Sequence, residues 1–352
     1  MKSLKVLSVL IRLDGGGAER SVGRMVAPLA ERNVQLLRYA IDPALPGEET
    51  DPDRTLTARS KGGFPRVLSA ALSLSKAVRR EKPDVVHLHC EAPELVGFLC
   101  RLLTPFQAYG IVVTDHSMKS WSGVRRLLGA SIRSGLKKFG ALYVDCFKPD
   151  DENETTIVVL NPTGEFQRLQ AGVFSEPRIL VVGRLIESKR VEQVLEAASL
   201  CHWPHKIVVT GDGSAAVYMQ ALASKLELDV EFLGHQADPW RTATTSDIFV
   251  SASAYEGEPL TLVEAIQRSL PVLASDIPGH IKVIGAHPGI FSSVSELSDM
   301  LADCARGQSL ARYKVEEEER LKILEERDPR HISIQWRRIY EKSLIQKATC
   351  AS

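Results

Sequence analysis

The chain lacks several features that assign a protein quickly to a class. Its six cysteines have no paired spacing, which indicates reduced thiols rather than a disulfide framework. Its 44 basic and 44 acidic residues balance, and no nucleic-acid-binding motif is present, so nucleic acid is not an expected partner. No apolar run approaches a membrane span, and the short run at 4–11 predicts a strand rather than a signal peptide. These absences favour a cytoplasmic protein.

What is present is an alternation of apolar, β-branched runs with amphipathic helical segments. Helices are predicted at 67–80 and 93–103. Predicted strands lie at 4–11, 82–88, 111–114, 156–160, 179–182, 206–210, 230–233, 248–250 and 272–274. This alternation predicts the α/β class, with parallel sheets covered by helices on both faces. A chain of 352 residues can bury two such cores, so we expect two doubly wound, Rossmann-like domains with a cleft between them.

A turn-rich stretch at 161–166 marks the expected domain boundary. We therefore predict a first domain over 1–163 and a second over 164–330. After Pro329, a last helix at 331–352 places Ile332, Trp336 and Tyr340 on one face, which must be covered by another part of the protein.

The segment 246–279 is the most informative stretch for function. A short strand at 248–250 is followed by Glu256, then by Pro259 in the expected first turn of a helix that carries Glu264. The free N–H groups of that turn and the helix dipole suit an anionic or hydroxyl-rich ligand. Two carboxylates eight residues apart could contact neighbouring parts of one polar ligand, and sugar hydroxyls are obvious candidates. The alternative is a solvated Glu256 and a Glu264 that interacts only with the helix dipole.

These residues resemble the E-x7-E signature of the retaining glycosyltransferases of family 4, which have the GT-B fold. The resemblance implies that Glu256 lies by the transferred sugar and that Glu264 binds the ribose of the nucleotide. It also places Gly257 and Leu260 in the donor site. It further implies that the helix at 331–352 returns to the first domain, as the terminal helix does in that family.

The strand at 179–182 runs into a turn that presents Gly183, Arg184 and Lys189. Fixed cations at such a turn would stabilise the charge that develops on a leaving diphosphate. The pattern resembles the family's G-R-L-x-x-x-K motif, which implies that Arg184 and Lys189 contact the diphosphate. An ordinary exposed basic turn is the alternative.

A glycine-rich turn follows the first predicted strand. It is not a G-x-G-x-x-G fingerprint, because the glycines are consecutive, and this disfavours a hydride-transferring enzyme. It resembles the family's G-G-A-E loop, so Gly16 and Gly17 are candidate donor-loop residues. Gly211 and His235 follow two strands of the second half, and the resemblance places the first beside the nucleotide and the second near its base.

Histidines mark two strand ends in the first half. His87 and His89 share one side of a strand, but H-x-H alone is a poor zinc signature, even with Cys90 and Glu91 nearby, so no metal site is expected. His116 follows the next strand, and the resemblance places a histidine there near the donor sugar. It could donate a hydrogen bond to a sugar hydroxyl, with assistance from Asp115, or it could be an ordinary turn residue.

Residues 119–138 include basic and apolar side chains but no acidic one. The basic residues are Lys119, Arg125, Arg126, Arg133, Lys137 and Lys138, and the apolar residues are Trp121, Leu127, Leu128, Ile132 and Leu136. We predict that this segment makes peripheral contact with anionic lipid at the inner face of the plasma membrane. An ordinary helix with its apolar side packed on the sheet is the alternative.

These features predict a metal-independent, retaining transferase that moves a hexose from a UDP- or GDP-linked donor, without a further cofactor. Its acceptor would be a lipid-linked saccharide or a lipopolysaccharide core, with a soluble natural product as the alternative. Two other classes stay open. Asp115 with His116 could serve an epimerase or hydrolase, and Glu258-Pro259, which departs from the family pattern, could mark a non-catalytic partner protein. Lys282 replaces the family's acid and leaves the acceptor side uncertain.

Overall fold

The computed structural model describes residues 2–13, 16–43, 54–57, 63–116, 121, 123–147, 156–167, 169–172, 177–306 and 309–350. The chain divides into two compact units. Unit 1 consists of residues 1–162 with 327–352, and unit 2 consists of residues 163–326. The sequence placed the corresponding divisions after 163 and after 330.

Unit 1 contains a sheet of six parallel strands in the order β2-β1-β3-β4-β5-β6. The strands are β1 Leu4–Leu10, β2 Val34–Ala40, β3 Val85–His89, β4 Gly110–Asp115, β5 Leu142–Asp145 and β6 Ile157–Val158. The helices between them are α1 Gly17–Arg24, α2 Val26–Ala30, α3 Gly63–Glu81, α4 Glu91–Leu103 and α5 Arg126–Lys138.

Helices cover both faces of this sheet because its strands are apolar on both sides. Along β1, Leu7 and Val9 point into one core, while Val6 and Leu10 point into the other. Helices α3, α4 and α5 pack on the first face, and α1 and α2 pack on the second. The carboxyl ends of the strands therefore lie at one edge, where ligands of open α/β sheets bind.

Unit 2 repeats this architecture, with six parallel strands in the order β12-β11-β10-β7-β8-β9. The strands are β7 Ile179–Val182, β8 Ile207–Thr210, β9 Val230–Gly234, β10 Ile248–Ser251, β11 Val272–Ser275 and β12 Ile290–Phe291. The helices are α6 Val191–Leu200, α7 Ala216–Lys225, α8 Leu260–Gln267, α9 Pro278–Ile284, α10 Val294–Ala305 and α11 Glu317–Glu325. The predicted α/β class with two doubly wound sheets is confirmed.

The last helix, α12 (Pro329–Cys350), belongs to unit 1. Ile332, Trp336 and Tyr340 are buried in the core on the α1 face of the sheet. Arg337 is buried too, and its guanidinium donates a 2.9 Å hydrogen bond to the carbonyl oxygen of Lys2. The apolar face noted in the sequence is thus covered by the first sheet. Among the described residues, no helix combines the length and apolar character needed to cross a bilayer.

Candidate functional site

Two loops at the carboxyl ends of β7 and β10 form the main candidate site in unit 2. The β7 loop runs from Gly183 to a short 3-10 turn, Glu187–Lys189, ahead of α6. The β10 loop leads to Glu256 and α8. A hydrogen bond of 2.8 Å from the N–H of Ala254 to the carbonyl oxygen of Ser188 joins the two loops. The adjacent strands of a parallel sheet therefore bring these two segments together.

The Lys189 ammonium donates a hydrogen bond to Oε1 of Glu256, so the predicted cation and the predicted carboxylate form an ion pair. Oε1 of Glu256 also accepts a 2.7 Å hydrogen bond from the Ser253 hydroxyl. Both charged side chains are largely covered, with 23% of Lys189 and 13% of Glu256 exposed. The Arg184 guanidinium is exposed and forms no ion pair with any described residue. The site thus holds one paired and one solvent-facing cation.

These residues line an open pocket of about 330 Å³, a volume that includes the solvent at its mouth. Its polar lining comes from Arg184, Lys189, Ser251, Ser253, Glu256 and Thr261. Gly183 contributes backbone, and the floor is formed by apolar residues of β7, β10 and α6. A pocket with an apolar floor and converging polar groups is typical of small-molecule sites.

A buried histidine that the sequence did not single out supports the β10 loop. His280 Nδ1 donates a 2.8 Å hydrogen bond to the carbonyl oxygen of Ser275, so Nε2 is the acceptor for the Ser251 hydroxyl at 3.2 Å. Burial lowers the pKa of His280. Gly279 also lies against this loop, because a Cβ there would sit 2.6 Å from the carbonyl oxygen of Glu256. In the sequence, only the short spacing between Ser253 and Glu256 could have indicated the hydrogen bond between these two residues.

The second carboxylate of the predicted signature lies apart from the pocket lining. Glu264 is only 4% exposed on α8, and its Oε2 accepts a 2.9 Å hydrogen bond from the Trp240 indole. Gly257 lies two residues before Pro259, which is the N-cap of α8 rather than a residue of its first turn and has no N–H to donate, and Leu260 begins the helix. The ribose contact of Glu264 stays a prediction, and the structure adds that Trp240 orients this carboxylate.

Gly211 shapes the β7 loop rather than contributing a side chain. Its φ is +139°, and a Cβ there would lie 1.8 Å from the carbonyl oxygen of Gly183. The two strand-end loops therefore touch backbone to backbone, which requires glycine. His235 is exposed immediately after β9.

In unit 1, Gly16 and Gly17 begin α1 at the carboxyl end of β1. Oε2 of Glu19 lies 1.9 Å from the position a Cβ of Gly16 would take, so this carboxylate folds over the helix start. A carboxylate at a helix N-terminus is stabilised by the helix dipole. Glu19 is therefore positioned where an incoming phosphate would have to displace it. Asp14 and Gly15 lie outside the described residues.

Three histidines of unit 1, His87, His89 and His116, form a cluster in which the ring centroids of His87 and His89 lie 4.0 Å apart and His89 bonds to His116. His89 Nδ1 lies 3.0 Å from His116 Nε2, and His89 Nε2 lies 2.9 Å from the Ser8 hydroxyl. His87 bonds to the Tyr340 hydroxyl and to the Thr114 hydroxyl. Burial lowers the pKa of His87 to about 3, lowers that of His116 to about 4 and holds that of His89 well below its ordinary value. These imidazoles are therefore neutral at pH 7.

The histidine cluster borders a second pocket, which also contacts Asn161, Cys146 and Trp336. Burial raises the pKa of the neighbouring Cys90 thiol to about 12, so this thiol is not a reactive thiolate. No group of three or more His, Cys, Asp or Glu side chains in the described ranges is arranged to hold a metal ion.

Asp115 does not assist His116, contrary to the expectation from their adjacency. Its Oδ2 accepts a 2.5 Å hydrogen bond from the Arg133 guanidinium of α5. Successive side chains of a strand point to opposite faces, so Asp115 turns toward α5 while His116 turns toward His89. The acid/base pair that an epimerase or hydrolase would use is therefore not formed by these two residues.

The predicted lipid-contacting segment is corrected in part. Trp121, Ile132 and Leu136 are buried in the core of unit 1, where the Trp121 indole donates a 2.6 Å hydrogen bond to Glu94. The sequence expectation that they face lipid is wrong, because α5 packs this side on the sheet. Leu127 and Leu128 are exposed. Lys119 lies outside the described residues.

Family models match both halves of the chain. "Glycosyltransferase Family 4" matches residues 15–147 and "Glycosyl transferases group 1" matches residues 167–304. The lipopolysaccharide 1,6-galactosyltransferase of Escherichia coli K12 is 34% identical over 94 residues, which cover 25% of this chain and 26% of the relative.

Another Escherichia coli relative is the UDP-Gal:alpha-D-GlcNAc-diphosphoundecaprenol alpha-1,3-galactosyltransferase. It is 24% identical over 246 residues, which cover 60% of this chain and 63% of the relative. The chain spans between about a quarter and two thirds of the length of the curated relatives it matches. Among solved structures, the Anabaena protein Alr3699/HepE with UDP and glucose superposes with a TM-score of 0.71 at 15% identity, covering 96% of this chain and 99% of that one. The last similarity shows a shared fold.

Proposed function

We propose a sugar-transfer reaction for this chain, which belongs to the GT-B glycosyltransferases of the family 4 type. The reaction moves a hexose from a nucleotide diphosphate sugar to an acceptor hydroxyl, with retention at the anomeric carbon. The donor is UDP- or GDP-linked, and no further cofactor is required. The product belongs to cell-envelope polysaccharide or lipopolysaccharide biosynthesis, as the names of two relatives suggest for those proteins.

The ion pair of Lys189 with Glu256, in one pocket with the exposed Arg184, is the observation that carries this proposal. Diphosphate binding needs fixed cations, and sugar binding needs a hydrogen-bond acceptor beside them. Arg184 and Lys189 can stabilise the negative charge that grows on the leaving diphosphate, which lowers the barrier more than it strengthens donor binding. These two cations take the role that a divalent metal has in metal-dependent transferases, so we propose metal independence.

The reaction proceeds on one face of the sugar. As the bond from the anomeric carbon to the phosphate oxygen breaks, the acceptor oxygen bonds to the same face of that carbon. The acceptor proton passes to the departing phosphate oxygen. The products are the glycosylated acceptor and the free nucleoside diphosphate. Glu256 positions the hexose, and its carboxylate accepts hydrogen bonds from sugar hydroxyls.

His116 contributes as a neutral hydrogen-bonding group. Because burial lowers its pKa to about 4, it is uncharged at pH 7 and can bond to a sugar hydroxyl without adding positive charge. Its partner His89 fixes the orientation of the ring. Gly16 and Gly17 are donor-loop residues in this proposal, and Glu264 binds the ribose.

The acceptor is a lipid-linked saccharide or a lipopolysaccharide core, and the enzyme works in the cytoplasm at the inner face of the plasma membrane. A lipid-linked acceptor is supported by the name of the diphosphoundecaprenol galactosyltransferase among the relatives. The residues of 119–138 that can reach lipid are the exposed Leu127, Leu128, Arg126, Lys137 and Lys138.

A thermal-shift panel of UDP-, GDP- and ADP-sugars without metal tests the proposal. One donor is expected to raise the melting temperature by mass action, and Arg184→Ala is expected to abolish the shift. Lys225→Ala removes an exposed cation of α7 in the same unit and serves as the matched control. A donor-induced shift that is unchanged in Arg184→Ala would indicate that the diphosphate binds at another place in the protein. No shift with any donor would favour the non-catalytic partner protein suggested by Glu258-Pro259.

A further inference from the structure

Helix α3 carries an apolar stripe on its solvent side. Phe64, Leu68 and Leu72 follow one another at spacings of four residues, which places them on one face of the helix. They are 67%, 40% and 46% exposed, respectively. The opposite side of α3 packs on the sheet through buried residues such as Leu74. The stripe is therefore additional to the core-facing side of an ordinary amphipathic helix.

Helix α4 continues the apolar surface beside α3. It packs between α3 and α5, and the Arg79 guanidinium of α3 donates a 2.8 Å hydrogen bond to the carbonyl oxygen of Leu103 at its end. Leu102, near the end of α4, is 52% exposed, whereas Ala92, Leu95 and Leu99 are half-buried and pack against the core of unit 1. We call Phe64, Leu68, Leu72 and Leu102 the α3–α4 apolar face.

The surroundings of this face carry charge of one sign. Within 63–147, the exposed charged residues of the described segments are all basic. They are Lys76, Arg79, Arg80, Lys82, Arg125, Arg126, Lys137 and Lys138. The acids of the same segments are half-buried or buried, and Glu91 and Asp115 are ion-paired to arginines. An apolar surface with basic residues and no exposed acid is complementary to anionic lipid headgroups over an acyl layer.

We propose that the α3–α4 apolar face is a docking surface for an anionic bilayer. Phe64, Leu68 and Leu72 enter the boundary between headgroups and acyl chains, while Lys76 and Lys138 contact the headgroups. The helices α3 to α5 start at the carboxyl edge of the sheet, where His116 lies, so docking also brings that edge near lipid. The proposal extends the proposed function by locating the membrane contact mainly on α3 and α4, but its test needs no sugar transfer.

Vesicle flotation tests the docking surface. The full chain is mixed with two kinds of vesicle. One contains phosphatidylcholine alone, and the other contains phosphatidylcholine with about 30% of the anionic lipid phosphatidylglycerol. We expect binding to the anionic vesicles that weakens with salt, and a loss of at least about tenfold in Phe64→Ser/Leu68→Ser. Leu200→Ser/Val217→Ser removes two exposed apolar residues of unit 2 and is expected to bind like the parent chain.

A second pair of variants tests the charge component. Lys76→Gln/Lys138→Gln is expected to reduce binding to anionic vesicles about tenfold, since each basic residue near the surface adds to the attraction. Lys225→Gln/Arg241→Gln removes two exposed cations of unit 2 and is the control. Equal binding by all variants, or equal binding to neutral and anionic vesicles, would overturn the proposal. Loss of binding in Leu127→Ser/Leu128→Ser but not in Phe64→Ser/Leu68→Ser would assign the contact to α5 instead.

The donor-induced thermal shift separates this proposal from the proposed function. Every vesicle-binding variant is expected to keep that shift, since none of the changed residues lines the pocket of Arg184 and Lys189. Vesicle binding without any donor shift would support docking and contradict sugar transfer. A donor-induced shift without vesicle binding by the parent chain would support the proposed sugar transfer and contradict docking.

Discussion

Lys189 and Glu256 are 67 residues apart in the sequence, and they form a direct hydrogen-bonded ion pair across two neighbouring loops of unit 2. The pair links diphosphate binding and sugar binding, which the sequence analysis assigned to two separate motifs. A diphosphate that binds Lys189 must share its ammonium with Glu256, while a sugar that binds Glu256 must share its carboxylate with Lys189. In the proposed reaction, the two parts of a nucleotide sugar would therefore be recognised by one coupled pair rather than by two independent residues.

Glu256→Gln is expected to separate donor binding from sugar transfer. The amide keeps the size of the side chain but removes the negative charge that repels a diphosphate, so the Kd of the nucleoside diphosphate should stay equal or fall by up to about tenfold. Turnover should fall by about 100-fold or more, because the carboxylate that positions the hexose is lost. Calorimetric titration and initial rates measure the two effects.

Glu187→Gln is the matched control for this experiment. Glu187 is an exposed carboxylate on the same 3-10 turn as Lys189, and it does not line the pocket. Both quantities should be unchanged in this variant. A parallel loss of nucleotide binding and turnover in Glu256→Gln would show instead that Glu256 serves mainly to hold Lys189 in place.

Glu264 is expected to recognise ribose hydroxyls. In Glu264→Gln, the affinity for the nucleoside diphosphate selected by the donor panel should fall about tenfold or more, because a charge-assisted hydrogen bond is lost. The affinity for the matching 2′,3′-dideoxy nucleotide should hardly change, since that ligand has no hydroxyl to offer. Titration of both ligands against both proteins measures the difference. An equal loss for both nucleotides would indicate that Glu264 acts through its bond to Trp240.

Much of the fold follows from the sequence because buried parallel strands are continuous apolar runs. The strands β7 and β10 and the loops after them could be located in this way, and a shared sheet edge predicts that Lys189 and Glu256 are near each other. Their direct pairing could not be predicted, because it depends on loop conformations set by contacts such as the one between Ala254 and Ser188.

The error on the segment that contains α5 has a physical cause. A helical pattern of apolar residues does not say which side meets the sheet, and α5 uses Ile132 and Leu136 for its core contact. The separation of Asp115 from His116, by contrast, follows from the alternation of side chains along a strand, so the sequence contained a signal for it.

Gly211→Ala is expected to destabilise unit 2 by at least about 3 kcal/mol, because the new Cβ would collide with the Gly183 carbonyl oxygen and the backbone has a positive φ. Gly234→Ala is the control, since Gly234 also has a positive φ, +66°, but faces open space. It should cost only about 1 kcal/mol. Hydrogen exchange of the β8 amides reports both changes, and equal costs would attribute the effect to φ alone.

His87 is expected to make unit 1 acid-sensitive. Its pKa is about 3 in the folded protein, against an unfolded value of 6.5, because burial penalises the imidazolium. Below pH 6.5 the unfolded chain binds a proton that the folded chain refuses, so the free energy of unfolding falls by about 1.4 kcal/mol per pH unit down to the folded pKa.

His87→Gln should be less stable than the parent chain at pH 7, because bonds to Tyr340 and Thr114 are weakened. The stability difference should narrow by about 2 kcal/mol between pH 7 and pH 5, since the variant no longer loses stability through this titration. Urea unfolding of both proteins at the two pH values, followed by hydrogen exchange of the β3 amides, measures it. The exposed His331→Gln should show no such narrowing. A difference between His87→Gln and the parent chain that stays constant with pH would mean that His87 is not buried in its neutral form.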